Sequence, residues 1–412
     1  MIGSKLTGRI ITSIDVGTTK ICVLIGKMLS DTQVEILGVG KAPSYGLKKG
    51  VVVDIAKTVY AISMAAKEAE LMAGTTIESA VIGISGGHIT SCNSHGVVPI
   101  KKNEIKTSDI ENALAAARAI PIPEGQHVLH VLPQYFVIDG RDTVYDPLGM
   151  HGIRLEVQAH IIMGAVASVQ NLVSCCEQAG IQVTDIVLEQ LASADAVLSN
   201  DERSLGVAML DIGGGTSDLA IYHQNSIRHT MVLPVAGNHF TNDLAVGLRI
   251  TLQEAERIKK EYGIAHHDLL TYDRCIEVEQ VQGNDKQIVL QNELCDILRP
   301  RATELLTIIK KEIIQNKLMG YIGTGLVLTG GGSLLIGMQQ LAEEIFNIPV
   351  RLGKPHIAFD LPESLQNPIY ATGYGMLINT VKKSMGSTKK SNTAASATRI
   401  LERMKSWISD IF

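Results

Sequence analysis

The 412-residue sequence predicts an α/β fold built from two related halves, and three stretches carry that prediction. Residues 11–26 (ITSIDVGTTKICVLIG) and residues 206–222 (GVAMLDIGGGTSDLAIY) share one layout: an apolar strand, an aspartate, a glycine turn with hydroxyl side chains, and a second apolar strand. The two aspartates, Asp15 and Asp211, lie about half a chain length apart, so we expect two related domains facing one cleft. The third stretch, residues 326–337 (LVLTGGGSLLIG), predicts a strand, a glycine turn and a helix.

The turns that follow the two aspartates are suited to phosphate oxygens and a metal ion. Glycine lets backbone N–H groups approach a ligand closely, and a row of free N–H groups forms an anion-binding cradle. A buried carboxylate such as Asp15 or Asp211 can hold a hard cation that bridges to the phosphate. A glycine-rich hairpin turn with no ligand is the alternative that three glycines alone leave open. The turn residues are Gly17, Thr18, Thr19 and Lys20 in the first hairpin, and Gly213, Gly214, Gly215 and Thr216 in the second.

The third turn contains Gly330, Gly331 and Gly332, and we expect its helix to begin near Ser333. A helix N-terminus offers free N–H donors and favours anions. In this order and spacing the three elements resemble the phosphate 1, phosphate 2 and adenosine motifs of the superfamily of actin, DnaK-type chaperones and sugar kinases. The resemblance implies a two-lobed, actin-like (ribonuclease H-like) fold with four subdomains. It also implies ATP, with adenosine at the third turn, phosphates at the first two turns, and Mg²⁺ held by Asp15 and Asp211 through water.

The composition is that of a globular chain without a general affinity for nucleic acid. Hydrophobic residues make up 45% of the sequence, which provides an ample core, while the net charge of −5 and the 4% aromatic content argue against nucleic-acid surfaces. The six cysteines include no CxxC pair for zinc, so we expect buried free thiols. Lys5 and Arg9 lead into a strand rather than a signal peptide, and no apolar run approaches the roughly 18–20 residues that span a bilayer.

The first half is expected to begin with three strands and a long helix. Asp54 is the expected N-cap of that helix and Gly74 its stop. Glu189 follows a later strand, where the superfamily resemblance places a residue near the attacking water; a surface carboxylate beside a helix is the alternative. The expected strands are 8–15, 21–28, 34–42, 80–84 and 183–188, and the expected helices are 51–74, 165–180 and 192–198.

Residues 85–163 break this pattern with short strands, one helix over 108–120, and loops marked by proline and glycine. We expect a small α+β module inserted into the first domain, in place of the actin-type insertion. Within the superfamily, an insertion at this point that opens with ISGGHI resembles the FtsA family of bacterial division proteins.

In the second half, Gly237 and Asn238 are expected to open a helix, with Asn238 as its cap. Glu256 and Lys259 lie three residues apart on a second helix, and therefore on one face. The superfamily resemblance implies that this pair bonds the nucleotide ribose, whereas a surface ion pair is the alternative. Arg301 is expected at the start of a further helix, where the FtsA resemblance implies contact with the C-terminal tail of the tubulin-like protein FtsZ. A solvated arginine beside a helix start is the alternative.

The chain ends in a polar tether followed by an amphipathic segment. Residues 382–398 are rich in Ser, Thr, Ala and Lys and predict a flexible linker. Residues 399–412 (RILERMKSWISDIF) place their apolar side chains on one helical face beside basic residues, which is typical of a helix lying in a membrane interface. Docking on the protein itself or on a partner groove is the alternative. The membrane-facing residues are Ile400, Leu401, Met404, Trp407, Ile408, Ile411 and Phe412.

We expect the segments to be arranged as four subdomains, a linker and a membrane helix. They are 1A (1–84 and 164–198), the inserted 1C (85–163), 2A (199–235 and 318–381), 2B (236–317), the linker 382–398 and the helix 399–412.

The FtsA resemblance covers the whole chain and implies an ATP-binding anchor for the FtsZ ring. It implies self-association into filaments, recruitment of later division proteins, an anionic membrane surface as partner, and a place on the cytoplasmic face of the bacterial inner membrane at the septum. ATPase turnover is expected to be weak at most. A small-molecule kinase or a PilM-like assembly ATPase of the same superfamily is the alternative.

Overall fold

A computed structural model describes residues 8–30, 33–280, 286–355 and 361–388. The strands are β1 (Ile10–Val16), β2 (Lys20–Met28), β3 (Val34–Pro43), β4 (Leu47–Lys48), β5 (Val51–Val52), β6 (Ser79–Ile84), β7 (Thr90–Pro99), β8 (Gln126–Ile138), β9 (Thr143–Val144), β10 (Arg154–Ala165), β11 (Gln182–Leu188), β12 (Val207–Ile212), β13 (Ser217–His223), β14 (Ser226–Leu233), β15 (Cys275–Glu279), β16 (Lys286–Leu290), β17 (Leu326–Thr329) and β18 (Val350–Leu352). The α-helices are α1 (Ile55–Ala73), α2 (Thr107–Arg118), α3 (Val166–Gln178), α4 (Glu189–Val197), α5 (Asn200–Leu205), α6 (Gly237–Leu248), α7 (Leu252–Tyr262), α8 (Gln291–Gln315), α9 (Met338–Phe346) and α10 (Ala371–Thr388).

The chain forms two compact units, and the first comprises Met1–Ser85, Asn171–Val197 and Lys354–Phe412. Its described part is built on a sheet of order β11-β6-β1-β2-β3, in which β1, β2 and β3 are antiparallel and β6 lies parallel to β1 and β11. Helix α1 has the predicted N-cap and stop, because the Asp54 side chain accepts from the Lys57 N–H and Gly74 adopts the left-handed conformation. The expected start at residue 51 was wrong, since Val51–Val52 forms β5. The helix lies directly on β3, where a Cβ at Gly40 would meet the Ala65 carbonyl oxygen.

The second unit comprises Gly86–Gln170 and Leu198–Gly353. Its main sheet has the order β14-β13-β12-β17-β18, with antiparallel β14, β13 and β12 and parallel β17 and β18. One continuous apolar core joins this sheet to helices α6, α7, α8 and α9. Both predicted hairpins, β1–β2 and β12–β13, are therefore present, one in each unit.

The inserted segment folds as a separate sheet of order β7-β10-β8-β9 with α2 packed against it. Gly96 lets this helix lie close to β7, because a Cβ at Gly96 would meet the Ala113 carbonyl oxygen. This α+β module, hereafter the inserted module, lies within the second unit.

Several local predictions were wrong. Ala236, not Asn238, is the N-cap of α6, because the Gly237 and Asn238 N–H groups already donate to carbonyls of the Asp211 turn. Helix α8 begins at Gln291 and contains Pro300, so Arg301 lies within the helix rather than at its start. A short 3₁₀ turn occupies Gly331–Leu334, and the expected helix begins only at Met338.

Two further expectations were only partly met. Helix α10 continues to Thr388, into the residues predicted as linker, and the rest of that linker and the segment 399–412 lie outside the described residues. All six cysteines are free thiols, but Cys275 is exposed and Cys92 half-buried rather than buried.

Candidate functional site

The Asp211 turn is the most constrained of the three predicted turns. Asp211 is 6% exposed and pairs across the hairpin with Asp218, whose carboxylate accepts a hydrogen bond from the Thr216 hydroxyl at 3.1 Å. The Gly213 N–H closes the turn onto the Thr216 carbonyl at 2.9 Å. Within the described part of the chain, the backbone N–H groups of Gly214 and Gly215 donate to no protein acceptor. Free N–H groups at a half-buried glycine turn are suited to an anion.

Helix α6 fixes this turn from behind. The Gly213 carbonyl accepts from the Gly237 N–H at 3.0 Å, and the Gly214 carbonyl accepts from the Asn238 N–H at 2.8 Å. These bonds hold the peptide planes of the turn, so its own N–H groups point away from the helix. Gly237 and Asn238 therefore support the turn through their backbones.

Gly330 makes room for the Asp211 carboxylate. Its backbone lies at φ 80°, ψ 169°, a region that only glycine adopts readily. A Cβ at this position would lie 2.1 Å from Asp211 Oδ1 and 2.6 Å from the Ile212 carbonyl oxygen. Gly332 also packs on Ile212, since a Cβ at Gly332 would lie 2.4 Å from Ile212 Cγ2. The Asp211 turn and the Gly330 turn therefore form one packed cluster within the second unit.

Ser333 stabilises the Gly330 turn from inside. It is 5% exposed, and its hydroxyl donates to the Gly330 carbonyl at 2.7 Å. Gly331, in contrast, is exposed. The Ser333 hydroxyl is thus bonded within the turn, and Gly331 lies at its surface.

Glu256 and Lys259 form an ion pair that is attached to the Asp211 turn. Lys259 Nζ lies 2.6 Å from Glu256 Oε2 and donates to the Thr241 hydroxyl at 2.8 Å and to the Gly237 carbonyl at 3.1 Å. Burial lowers the pKa of Lys259. Burial also opposes ionisation of Glu256, but the Lys259 ammonium and the hydrogen bonds outweigh it and hold the pKa of Glu256 below its ordinary value. The pair is therefore charged, mostly shielded from water, and held beside the residue that supports the turn.

The Asp15 turn, in the first unit, has a built-in counter-ion. Asp15 is 8% exposed, and Lys20 Nζ lies 3.6 Å from its Oδ2 while also donating to the Ile369 carbonyl at 2.6 Å. Burial raises the pKa of Asp15, and Lys20 opposes that rise. The Gly17 N–H donates to the Lys20 carbonyl at 3.1 Å.

The two threonines of this turn are held by its surroundings. The Thr18 hydroxyl accepts from the Gly50 N–H at 3.0 Å, and the Thr19 carbonyl accepts from the Ser44 N–H at 3.0 Å. The turn is thus fixed at both ends by neighbouring loops of the same unit.

Gln190 is a residue that sequence reasoning missed. Glu189 is half-buried at the first position of α4, beside Gly83. Gln190, the next residue, is fully buried, and among the described residues neither its amide oxygen nor its amide nitrogen has a hydrogen-bond partner. Buried amides without partners are rare and indicate a missing water or ligand. The only sign of it in the sequence is that Gln190 is an uncharged polar residue at the start of a helix made mostly of small residues.

Arg301 lies on a helix that forms the wall of a groove. Its guanidinium is held by Asp243 at 2.7 and 3.1 Å and by Glu304. Glu304 itself lines a groove of about 690 Å³ along α8. The groove is lined by His267, Asp296, Arg299, Pro300, Thr303, Glu304, Thr307, Ile308 and Lys311.

The described residues contain neither a cluster of metal ligands nor a helix that could span a membrane. No group of three or more His, Cys, Asp or Glu side chains there could hold a metal ion. No helix in the described ranges has the length and hydropathy needed to cross a bilayer. The predicted membrane residues, from Ile400 to Phe412, lie outside those ranges.

Solved structures with the same fold include three actin-like proteins. A chain of a PilM–PilN type IV pilus biogenesis complex matches with a TM-score of 0.66 and 18% identity, covering 90% of this chain and 98% of the other. MreB5 of Spiroplasma citri bound to ADP matches with a TM-score of 0.58 and 17% identity, covering 92% and 98%. An ethanolamine utilization protein EutJ matches with a TM-score of 0.53 and 17% identity, covering 92% of each chain. These likenesses confirm the predicted actin-like α/β fold.

Sequence comparisons are more specific. Residues 208–375 match the family described as cell division protein FtsA, and residues 86–163 match the SHS2 domain inserted in FtsA. Cell division protein FtsA of Pseudomonas aeruginosa is 43% identical over 100% of both chains, and that of Neisseria meningitidis is 40% identical over 98% of this chain and 99% of the relative. FtsA of Escherichia coli K12 is 34% identical, with 98% and 99% coverage. The chain belongs to the FtsA family, and it is an actin-like cell division protein.

Proposed function

We propose that this protein binds ATP, assembles on the cytoplasmic face of the inner membrane at the division septum, and anchors the FtsZ ring there. It would polymerise and recruit later division proteins. The observation that carries the nucleotide part is the Asp211 turn, with free N–H groups at Gly214 and Gly215 beside a carboxylate for which Gly330 leaves room. A nucleotide at this turn is supported by the like-folded MreB5 of Spiroplasma citri, which is bound to ADP, and the division role by membership of the FtsA family.

The residues fit a nucleotide with Mg²⁺. The turn of Gly213, Gly214, Gly215 and Thr216 would bind phosphate oxygens, and buried Asp211 would hold the cation through water. Mg²⁺ would offset the phosphate charge. The Glu256–Lys259 pair would meet the ribose, and the Gly330–Ser333 turn the adenosine. For the first unit we propose the same phosphate role for Gly17, Thr18, Thr19 and Lys20 around Asp15, with Glu189 near the attacking water.

Replacing Gly214 with leucine tests the phosphate assignment. The new side chain would cover the two free N–H groups, and each hydrogen bond to a charged group contributes about 1.5–3 kcal/mol. Losing two should weaken ATP binding at least about a hundredfold. Titration calorimetry with Mg·ATP measures this, and thermal unfolding checks that the variant remains folded. An unchanged dissociation constant in a folded variant would refute the assignment.

We propose that the groove along α8 receives the FtsZ tail. Its lining combines basic Arg299 and Lys311, acidic Asp296 and Glu304, and apolar Ile308. Arg301 would act on its wall by holding Glu304 in place. Arg301→Glu would set a third carboxylate beside Asp243 and Glu304, so the titration of an FtsZ tail peptide should weaken. Lys101→Glu, on the inserted module, is the charge-matched control, and equal titrations for the two variants would remove Arg301 from the site.

Residues 399–412 are proposed to bind an anionic membrane surface. The seven apolar side chains, only partly inserted, would contribute roughly 5–10 kcal/mol before ordering costs are subtracted. A single copy would bind reversibly, and linked copies in a filament would bind far more tightly. Trp407→Ala should release the protein from anionic phospholipid vesicles, whereas Trp407→Phe should retain most of the binding. Full retention by Trp407→Ala would place the membrane contact elsewhere.

A further inference from the structure

The inserted module contacts the rest of the second unit along one edge of the main sheet. Strand β14 is the edge strand of that sheet, and the module's strands β7, β8 and β10 all pack against it. An uncovered edge presents unpaired carbonyl groups. Here module side chains supply the missing donors: Gln134 Nε2 donates to the Ile227 carbonyl at 3.0 Å and to the Arg228 carbonyl at 3.2 Å, and the Ser91 hydroxyl donates to the Thr230 carbonyl at 3.0 Å.

His160 lies at the centre of this contact and is 1% exposed. Its Nδ1 is 2.7 Å from Asn93 Oδ1, and its Nε2 is 2.8 Å from the Thr230 hydroxyl. Thr230 belongs to β14, while Asn93 and His160 belong to the module. The Nε2 of His160 therefore crosses to β14, while its Nδ1 is held by Asn93 within the module.

The network determines which nitrogen of His160 carries the proton. The two backbone carbonyls identify the Gln134 atom that faces them as the amide nitrogen, and its two N–H groups are shared among these carbonyls and Asn93 Oδ1, at 3.3 Å. Asn93 Oδ1 can only accept, and hence the Nδ1 of His160 must donate to it. A neutral ring then leaves Nε2 as the acceptor for the Thr230 hydroxyl proton. Each polar atom of this hydrogen-bond network is fixed as either a donor or an acceptor, so the module fits β14 in one orientation.

Two more interactions join the module to the turn after β13 and to β14. The Tyr145 hydroxyl bonds Gln224, and the Arg228 guanidinium lies 5.8 Å from the ring centroid of Tyr135. Arg228 is itself held by the Gln224 side chain at 3.0 Å. The contact therefore contains several directional hydrogen bonds.

We propose that this polar contact is a latch that fixes the orientation of the inserted module on β14, with His160 as its positioning residue. The module is inserted in the sequence after β6 of the first unit, but the latch makes it move with the second unit. Because β14 pairs with β13, which leaves the Asp211 turn directly, the latch also ties the module to the strand that carries that turn. Loosening it would free the module to rotate while leaving both folds intact.

Distance measurements between the module and the second unit test the latch. Spin labels on ketone side chains introduced at Asn112 of α2 and Gln340 of α9, both exposed, leave the native cysteines in place. The full-length wild-type chain should give one narrow distance distribution by pulsed electron resonance. Thr230→Val and Gln134→Ala, which break the latch from opposite sides, should broaden or shift it. Thr230→Ser keeps the hydroxyl and should restore the wild-type distribution.

His95→Ala is the matched control, because His95 lies on β7 and pairs only within the module, with Glu156 at 3.0 Å. Its distribution should equal that of the wild type. Distributions as narrow as wild type in both latch variants would overturn the proposal. Should both variants fail to fold, ¹⁵N-histidine spectra of the wild type decide: a neutral Nδ1–H tautomer at His160 supports the latch, and an Nε2–H tautomer or a charged ring overturns it.

Discussion

Gly330→Ala is the sharpest test of how the second unit builds its nucleotide turn. The new Cβ would lie 2.1 Å from Asp211 Oδ1, whereas carbon atoms in ordinary contact stay about 3.5 Å from their neighbours, so the carboxylate must retreat by more than about 1 Å. The backbone at φ 80°, ψ 169° also becomes strained, at a cost of about 1–3 kcal/mol in the free energy of unfolding. Since a hydrogen bond to a charged group contributes about 1.5–3 kcal/mol, losing the Asp211 contact should weaken Mg·ATP binding about 10- to 150-fold.

The assay is titration calorimetry with ATP in the presence of Mg²⁺ and, separately, of a chelator. If Asp211 acts through the cation, the loss should be large with Mg²⁺ and much smaller without it. Gly320→Ala is the control, because Gly320 has open space around its Cβ position and no positive φ. A folded Gly330→Ala protein that binds Mg·ATP within twofold of wild type would refute the reasoning.

Three further predictions concern stability and the ion pair. Burial lowers the pKa of His160 to about 4, below its ordinary 6.5, so the unfolded chain binds the proton at a higher pH than the folded chain does. The free energy of unfolding should therefore fall by about 1.6 kcal/mol from this group between pH 6.5 and pH 5, and by less in His160→Gln. Equal pH profiles of the thermal midpoint in the two proteins would contradict this. Gly375→Ala would place its Cβ 1.8 Å from the Ala192 carbonyl oxygen and should cost about 1–3 kcal/mol, measured by thermal unfolding. In Gly373→Ala the new Cβ would meet only the Leu24 side chain, so the free energy of unfolding should fall by less than in Gly375→Ala. A larger loss in Gly373→Ala than in Gly375→Ala would contradict this. Lys259→Met should weaken ATP binding by tenfold or more while the protein stays folded, because Glu256 then keeps, among the described residues, only the exposed Lys260 ammonium as its cation, at 3.1 Å. An unchanged calorimetric affinity would remove the Glu256–Lys259 pair from the site.

The hairpins, the inserted module and the caps of α1 could be predicted because their signals are local. An apolar run, an aspartate and a glycine turn specify a hairpin from neighbouring residues alone, and Asp54 and Gly74 act within one helical turn. The actin-like fold followed from finding this hairpin twice. The roles of individual turn residues stay predictions, as do the subdomain boundaries.

The errors arose where distant contacts overrule local preference. The helix was expected to start near Arg301, yet α8 begins at Gln291 and passes through Pro300, because Leu294, Leu298 and Ala302 bury a continuous face. Helix α10 enters the polar segment because Lys382 pairs with Asp195 at 2.8 Å and Lys383 with a further carboxylate in the same unit. Composition cannot reveal partners that lie almost two hundred residues away.

The latch on β14 was invisible for the same reason. Its members Ser91, Gln134 and His160 look like ordinary strand residues, and only the folded chain brings them to Thr230. Gln190 was overlooked because a buried amide without a partner can be identified only when its surroundings are known.

Sedimentation with anionic phospholipid vesicles tests the central claim of nucleotide-dependent assembly on a membrane most directly. The full-length chain and a chain ending at residue 398 are compared with and without Mg·ATP. The account predicts that the full-length protein pellets with vesicles, and more so with Mg·ATP, while the shortened protein stays in the supernatant under both conditions. An equal pelleted fraction for the two chains, or a pelleted fraction of the full-length chain that is the same with and without Mg·ATP, would contradict it.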